Sequence, residues 1–264
     1  MTFPYDKTHL AVAADRILRD YMALQPDEEV LLTVDTSTDR EGVLALAAAA
    51  RTLGARYAIM EMPNLPFQGG LADPFIPKSV AEGLKHCDVW IDFTFPYISG
   101  SKTHEALKAT KVRSLNILDL GAGGIARLFG QVDLDDLFEL QTAFDRLIAD
   151  SQGKECRVTC ARGTDVTFVL GAPKAGKKRR LNEPGTSSPP GSVVILPEPA
   201  SVRGTVMVPA VFHEWYTLIS NPIRVEVDDR ITNISGGDAD LFVLDRALRR
   251  AGRGEWGQRR CHVN

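Results

Sequence analysis

Apolar positions recur at helical spacing from Thr8 to about Ala23, with Leu10, Ala13, Ala14, Ile17, Leu18 and Tyr21 on one side and Thr8 placed to cap. A continuous apolar run, Glu29 to Val34, then reads as a buried strand. Thr36, Ser37, Thr38 and Asp39 form a polar turn rich in capping residues, and an alanine-rich helix from Glu41 to Leu53 ends at Gly54. Arg56 to Met62, Asp88 to Phe93 and Val112 to Leu118 repeat the strand pattern, separated by short helices at Val80 to Leu84 and Thr103 to Ala109. This alternation predicts a mainly parallel sheet covered on both faces. Ligands on such sheets sit beyond the carboxyl ends of the strands. Here those ends carry Asp35-Thr36-Ser37, Met62-Pro63-Asn64, Thr94-Phe95-Pro96-Tyr97 and Asp119-Leu120-Gly121.

A long amphipathic helix is expected from Asp133 to about Ser151, its stripe formed by Leu134, Leu137, Phe138, Leu140, Phe144, Leu147 and Ile148. After Gly153 the period changes. Strands are expected at Glu155 to Cys160, Asp165 to Leu170, Ser192 to Leu196, Gly204 to Val208 and Ile223 to Val227, with turns and no helix between them. The expected organisation is therefore an α/β N-terminal domain over 1–152 and a β-rich domain over 153–264. A strand ending in Gly236-Gly237 feeds a helix from Ala239 to Ala251, stopped by Gly252. The chain then closes on Cys261-His262-Val263-Asn264, where one more strand would begin, so the second domain reads as incomplete.

Composition adds limits. Hydrophobic residues make up 44% and charged residues 25% of the 264 positions, ordinary for a globular protein with a full core. A formal net charge of −3 argues against a general nucleic-acid binder. No apolar run reaches the ~18 residues needed to span a bilayer, and Met1 to Lys7 lacks the features of a signal peptide. The expected location is the cytoplasm, with no membrane partner. Cys87, Cys156, Cys160 and Cys261 include no CxxC pair, which favours free thiols over a structural zinc site.

Candidate chemistry from local spacing is sparse. Gly121-Ala122-Gly123-Gly124 follows a strand like a dinucleotide loop, but its glycines miss the GxGxxG pattern, which favours a turn into a short helix. Lys174 to Arg180 is a basic run, read as a solvated loop or as a lid that steers an anionic substrate. The histidines His9, His86, His104, His213 and His262 form no HExxH or HxH pair. His104 opens a helix above a strand end, and His213-Glu214 sits beside Trp215 and Tyr216, a cluster read as packing before ligation.

The second half carries a more specific skeleton: Arg162-Gly-Thr-Asp-Val-Thr-Phe, Asn182-Glu-Pro-Gly, Pro190-Gly-Ser-Val-Val-Ile-Leu-Pro, Arg203-Gly-Thr-Val-Met-Val and Arg230-Ile-Thr-Asn-Ile-Ser-Gly-Gly. It resembles the superfamily that joins aminopeptidase T type metallopeptidases (often labelled leucyl aminopeptidase) with the 2,5-dihydroxypyridine 5,6-dioxygenases. The Glu-Pro-Gly element and the spacing from Pro197 to Thr205 resemble the dioxygenase branch more closely. The resemblance spans essentially the whole chain and is strongest from about residue 155 onward.

The dioxygenase resemblance implies an iron(II) held by a facial triad of one histidine and a later His-x-Asp pair. Cys261-His262-Val263 matches the strand that bears the first of these, which makes His262 the metal-ligand candidate. Members of the family continue further and carry the other two ligands there, so the expectation is a chain shortened at its C-terminus. Similar dioxygenases also place an acid–base histidine in the loop after Asp92, where this chain has Pro96-Tyr97-Ile98-Ser99; Tyr97 or His104 stands in for it. The aminopeptidase branch implies two divalent metals such as Zn2+ or Co2+, and its early glutamate ligand falls near Gly191-Ser192, where this chain has no carboxylate.

The leading expectation is an Fe(2+)-dependent ring-cleaving dioxygenase acting with O2 on a hydroxylated N-heteroaromatic small molecule. The alternatives are a metal-dependent aminopeptidase, which needs no O2, and a non-catalytic remnant that binds a partner through an unfinished sheet edge. The resemblance also implies a homo-oligomer, a dimer.

Overall fold

A computed structural model of the protein describes residues 5–117, 120–173, 179–211 and 217–251. Its elements in chain order are α1 (Lys7–Arg16), β1 (Glu29–Asp35), α2 (Arg40–Thr52), β2 (Arg56–Met62), α3 (Lys78–Gly83), β3 (Val89–Asp92), α4 (Lys102–Ala106), β4 (Arg113–Asn116), α5 (Gly121–Ile125) and α6 (Leu134–Asp150). There follow β5 (Glu155–Thr159), β6 (Asp165–Val169), β7 (Gly185–Ser187), β8 (Arg203–Val211), β9 (Thr217–Asp228), β10 (Arg230–Gly236) and α7 (Asp238–Ala251). Among the described residues no helix is long and apolar enough to cross a membrane.

The chain divides into two compact units, one formed by 1–139 with 178–191 and the other by 140–177 with 192–264. The division falls inside α6, upstream of the boundary at residue 152 expected from the sequence. The segment 178–191 returns to the first unit.

The first unit is a five-stranded sheet in the order β2-β1-β3-β4-β7, with every pair parallel. Strand alternation gives it two apolar faces. Val30, Leu32 and Ile91 pack with Leu10, Ile17, Leu46 and Phe129 on one side. Leu31 and Trp90 pack with Val80, Leu84 and Ile98 on the other. The expected first helix is α1 followed by a π-helical turn over Ile17–Tyr21. Asp6, rather than Thr8, caps it, accepting from the Thr8 N–H at 2.8 Å. A second π-helical segment, Ala126–Gln131, packs against α1. The Arg16 guanidinium donates to the carbonyls of Phe129, Gly130 and Val132 at 3.2–3.3 Å, which caps its exposed C-terminal groups.

The glycine-rich stretch after β4 forms α5. Its Ala122 N–H donates at 2.8 Å to Asp39, the same residue that caps α2 through the Glu41 N–H.

The second unit is an antiparallel sheet in the order β10-β9-β8-β6-β5. Val166, Phe168, Ile223, Val225 and Val227 form its core, with Leu241, Val243 and Leu244 of α7 packed on them. The whole is an α/β protein with a parallel and an antiparallel sheet.

One expected strand is corrected, and one strand was not expected. Ser192 to Leu196 forms no strand; the segment makes only an isolated bridge, Leu170 with Pro197, and Val193 and Val194 stay exposed. Prolines on both sides, Pro189, Pro190, Pro197 and Pro199, remove ladder donors. Conversely β7, Gly-Thr-Ser, has no apolar residue and so no strand signature. It is placed from outside: Leu181 enters the first core, its N–H donates to the Tyr21 carbonyl at 2.7 Å, and Gly185 N–H donates to the Val112 carbonyl.

Candidate functional site

The carboxyl ends of β1 and β3 each finish on a buried aspartate, Asp35 and Asp92, both 1% exposed. A buried carboxylate is costly unless donors surround it, and both are surrounded. Asp35 Oδ1 accepts from the Ser37 N–H at 2.9 Å, the Ser37 hydroxyl at 3.0 Å and the Thr38 hydroxyl at 3.1 Å. Its Oδ2 accepts from the Phe95 N–H at 2.6 Å, across from the next strand.

Asp92 lies opposite Thr33 in the β1–β3 register. Its Oδ1 accepts from the Thr33 hydroxyl at 2.8 Å, the Thr94 hydroxyl at 2.7 Å and the Thr94 N–H at 3.1 Å. Oδ2 accepts from the Ile98 N–H at 3.1 Å. Trp90 Nε1–H donates in turn to Thr33 Oγ1 at 2.8 Å, so a buried chain runs from indole to hydroxyl to carboxylate. Burial pushes the Asp92 carboxyl up to about 6, while the bonds from Thr94, Thr33 and Ile98 hold it down.

The segment Thr94-Phe95-Pro96-Tyr97-Ile98 is thus fastened at three of its N–H groups by two carboxylates. The Phe95–Pro96 peptide is cis, and the half-buried Phe95 and Tyr97 rings lie 6.2 Å apart. Asn64, after β2, extends the rim: its amide donates to the Ser37 hydroxyl and to the Phe95 carbonyl, and its Oδ1 accepts from the Thr36 hydroxyl. Three of the strand ends named from the sequence therefore meet in one polar cluster with an aromatic pair beside it.

The sequence-derived candidates fare differently. Tyr97 belongs to this strand-end cluster. His104 is on α4, 9% exposed, with its ring 6.1 Å from that of Trp90. Its Nδ1 accepts from the Gly100 N–H at 3.1 Å, which leaves Nε2 as the protonated nitrogen, 2.9 Å from Thr186 Oγ1 on β7. Thr186 Oγ1 is 2.7 Å from Ser114 Oγ on β4. Burial lowers the His104 pKa and favours this neutral form. His104 therefore ties α4 to β7 and, through Thr186, to β4, in the register row of Trp90, two residues behind the ends of β3 and β4.

His262, like His213-Glu214, Asp119 and most of the basic run (174–178), lies outside the described residues. Among the described residues no three His, Cys, Asp or Glu side chains are grouped to hold a metal. Asp35 and Asp92 do not fit one, because hydrogen-bond donors already occupy both oxygens of each. The roles of Asp35 and Asp92 are not apparent in the sequence, where one opens a polar turn and the other ends an apolar run. The available signal was a pair of aspartates closing otherwise apolar strands, EVLLTVD and VWID.

A family model described as NicX, 2,5-dihydroxypyridine 5,6-dioxygenase, matches residues 16–254. Among solved structures, a 2,5-dihydroxypyridine dioxygenase from Pseudomonas putida KT2440 superposes with a TM-score of 0.67 at 20% identity, covering 93% of this chain and 73% of that one. AmpT from Thermus thermophilus superposes with a TM-score of 0.61 at 16% identity, covering 96% of this chain and 76% of that one. At these identities the two superpositions establish the fold. No curated protein sequence matches the chain.

Proposed function

Because the chain belongs to the NicX family of 2,5-dihydroxypyridine 5,6-dioxygenases, we propose that it takes part in O2-dependent cleavage of a hydroxylated N-heteroaromatic ring. The observation that carries this reading is the match of the family model over residues 16–254. In this proposal the cofactor is iron(II), which would supply a site where ring oxygens and O2 bind together. His262 is the ligand this chain would contribute, and the enzyme is a cytoplasmic dimer.

The part of the chemistry assigned to the first unit is placement of the ring and movement of a proton. Phe95 and Tyr97 offer flat apolar surface to an aromatic ligand. The Tyr97 phenol is the group proposed to exchange a proton with a ring hydroxyl, since a phenol both donates and accepts. His104 is the weaker candidate, because both of its ring nitrogens are engaged in tying α4 to the sheet.

The test is oxygen uptake by the purified full chain, supplied with iron(II) under exclusion of air and then mixed with aerated 2,5-dihydroxypyridine. Consumption of O2 in step with loss of the ring absorbance, abolished by His262→Ala, supports the proposal. Hydrolysis of leucyl amides without O2 would instead favour the aminopeptidase reading. Neither activity, with no metal retained, would identify a non-catalytic relative.

A further inference from the structure

Asp92 holds the Tyr97 segment at both ends but unevenly. Oδ1 is saturated by three donors from Thr33 and Thr94, whereas Oδ2 has the single Ile98 N–H. Pro96 offers no N–H, so between Phe95 and Ile98 the described hydrogen bonds to the buried carboxylates skip the two residues that include Tyr97. The orientation of the phenol thus depends on its two flanking anchors, Asp35 to Phe95 and Asp92 to Ile98.

We propose that Asp92 is a positioning residue for Tyr97, fixing the phenol through the Ile98 N–H on one side and through Thr94 on the other. Its consequence for catalysis rests on the role given to Tyr97 above; the positioning itself does not. A proton arriving on this carboxyl goes to Oδ2, because Oδ1 already faces three donors. The neutral O–H oxygen there is a much weaker acceptor for the Ile98 N–H than the carboxylate oxygen, so that end loosens while the Thr94 end stays. The protonated form is accessible, since burial brings Asp92 to about 6. Among the described residues, the ionisable groups on the elements around it include Asp35 at the end of β1, Lys102, His104 and Glu105 on α4, and Tyr97 itself. None of them is hydrogen-bonded to the Asp92 carboxyl. Asn116, its register neighbour on β4, is neutral.

The experiment follows the Thr94, Tyr97 and Ile98 amides by nuclear magnetic resonance in isotope-labelled full-length protein, from about pH 8 to about pH 5. The expected result is a shift of the Tyr97 and Ile98 signals with a midpoint near the carboxyl value, about 6. Protection of the Ile98 amide, corrected for intrinsic exchange, should fall about tenfold or more, as for loss of one charge-assisted hydrogen bond. Thr94 should stay protected. Asp92→Asn, which presents an N–H₂ where Oδ2 was, should show the loosened Ile98 signal at every pH and no titration. Should that variant fail to fold, the wild-type titration decides alone. An Ile98 amide equally protected across the range, or a Tyr97 signal that ignores it, overturns the proposal. If the segment loosens as expected yet the enzyme does not turn over dihydroxypyridine, the functional reading fails and the positioning stands. With turnover, kcat should fall below the midpoint while KM changes little, and Asp92→Asn should lose that limb of the pH profile.

Discussion

Replacing Thr33 by valine tests the buried chain beneath the strand-end cluster with almost no change of volume. Thr33 is fully buried and its hydroxyl does two things, accepting from Trp90 Nε1–H at 2.8 Å and donating to Asp92 Oδ1 at 2.8 Å. In Thr33→Val the indole N–H of a fully buried tryptophan is left without its acceptor, at a cost of about 1–3 kcal/mol. Loss of the bond to an ionised carboxylate adds about 1.5–3 kcal/mol. Burial of a methyl in place of the hydroxyl returns about 0.8 kcal/mol. The expected net destabilisation is therefore about 2–5 kcal/mol, read as a lower urea midpoint with an unchanged slope.

The pH dependence makes the test sharper. Above the Asp92 pKa of about 6 the lost bond is charge-assisted; below it the carboxyl is neutral and the bond is weaker. The gap between wild type and Thr33→Val should shrink by about 1 kcal/mol as the pH falls through that value. A loss below about 1 kcal/mol near pH 8 would refute the reasoning. It would mean that the indole and the carboxylate find other partners as readily as Thr33.

Two further outcomes follow from the same structure. The Asp92 carboxyl is raised from 3.8 to about 6, so the folded state binds its proton more tightly than the unfolded chain does. Its contribution to stability is fully present below the unfolded value and is lost as pH rises through about 6. Linkage sets that loss at about 3 kcal/mol, to be measured as the pH dependence of the stability difference between wild type and Asp92→Asn. Gly130→Ala would place a Cβ 2.2 Å from the His9 carbonyl oxygen and 3.0 Å from its carbon, both backbone atoms of α1. The two helices must part, and a net loss of about 1–3 kcal/mol is expected in thermal unfolding, despite about 1 kcal/mol of helix propensity regained.

Much of the first unit is legible in the sequence because its central strands are buried on both faces. Such strands write themselves as apolar runs: every residue from Val30 to Asp35 and from Val89 to Asp92 is buried. The edge strand β2 is half exposed, and its mixed pattern is still readable because the alternating helices frame it. The other edge strand is not. β7 holds its place through Thr186, Gly185 and the nearby Leu181, whose partners Ser114, Val112 and Tyr21 are all distant in sequence. The apolar run Val193 to Leu196 misleads for the opposite reason. Hydrophobicity there announces a strand, but the flanking prolines deny it a ladder.

The strand-end cluster divides along the same line. Its location was predictable, because a parallel sheet exposes loops and backbone groups at its carboxyl edge wherever consecutive strands end side by side. Its wiring was not, because each buried aspartate is stabilised by donors from other strands and loops. The Phe95 N–H reaches Asp35 across 60 positions, and the Thr33 hydroxyl reaches Asp92 across 59. Two carboxylates at the ends of apolar strands cost several kcal/mol to bury unpaired. The fold offsets that cost with seven bonds from hydroxyl and N–H groups in the neighbouring loops, besides the one from Thr33. Those bonds fix the loops that carry Ser37, Phe95 and Tyr97, against which Asn64 bonds in turn. Apolar residues at positions 35 and 92 would be easier to bury, but they would leave these loops without anchors. The two aspartates thus trade ease of burial for a fixed rim at the edge of the sheet where a ligand would arrive.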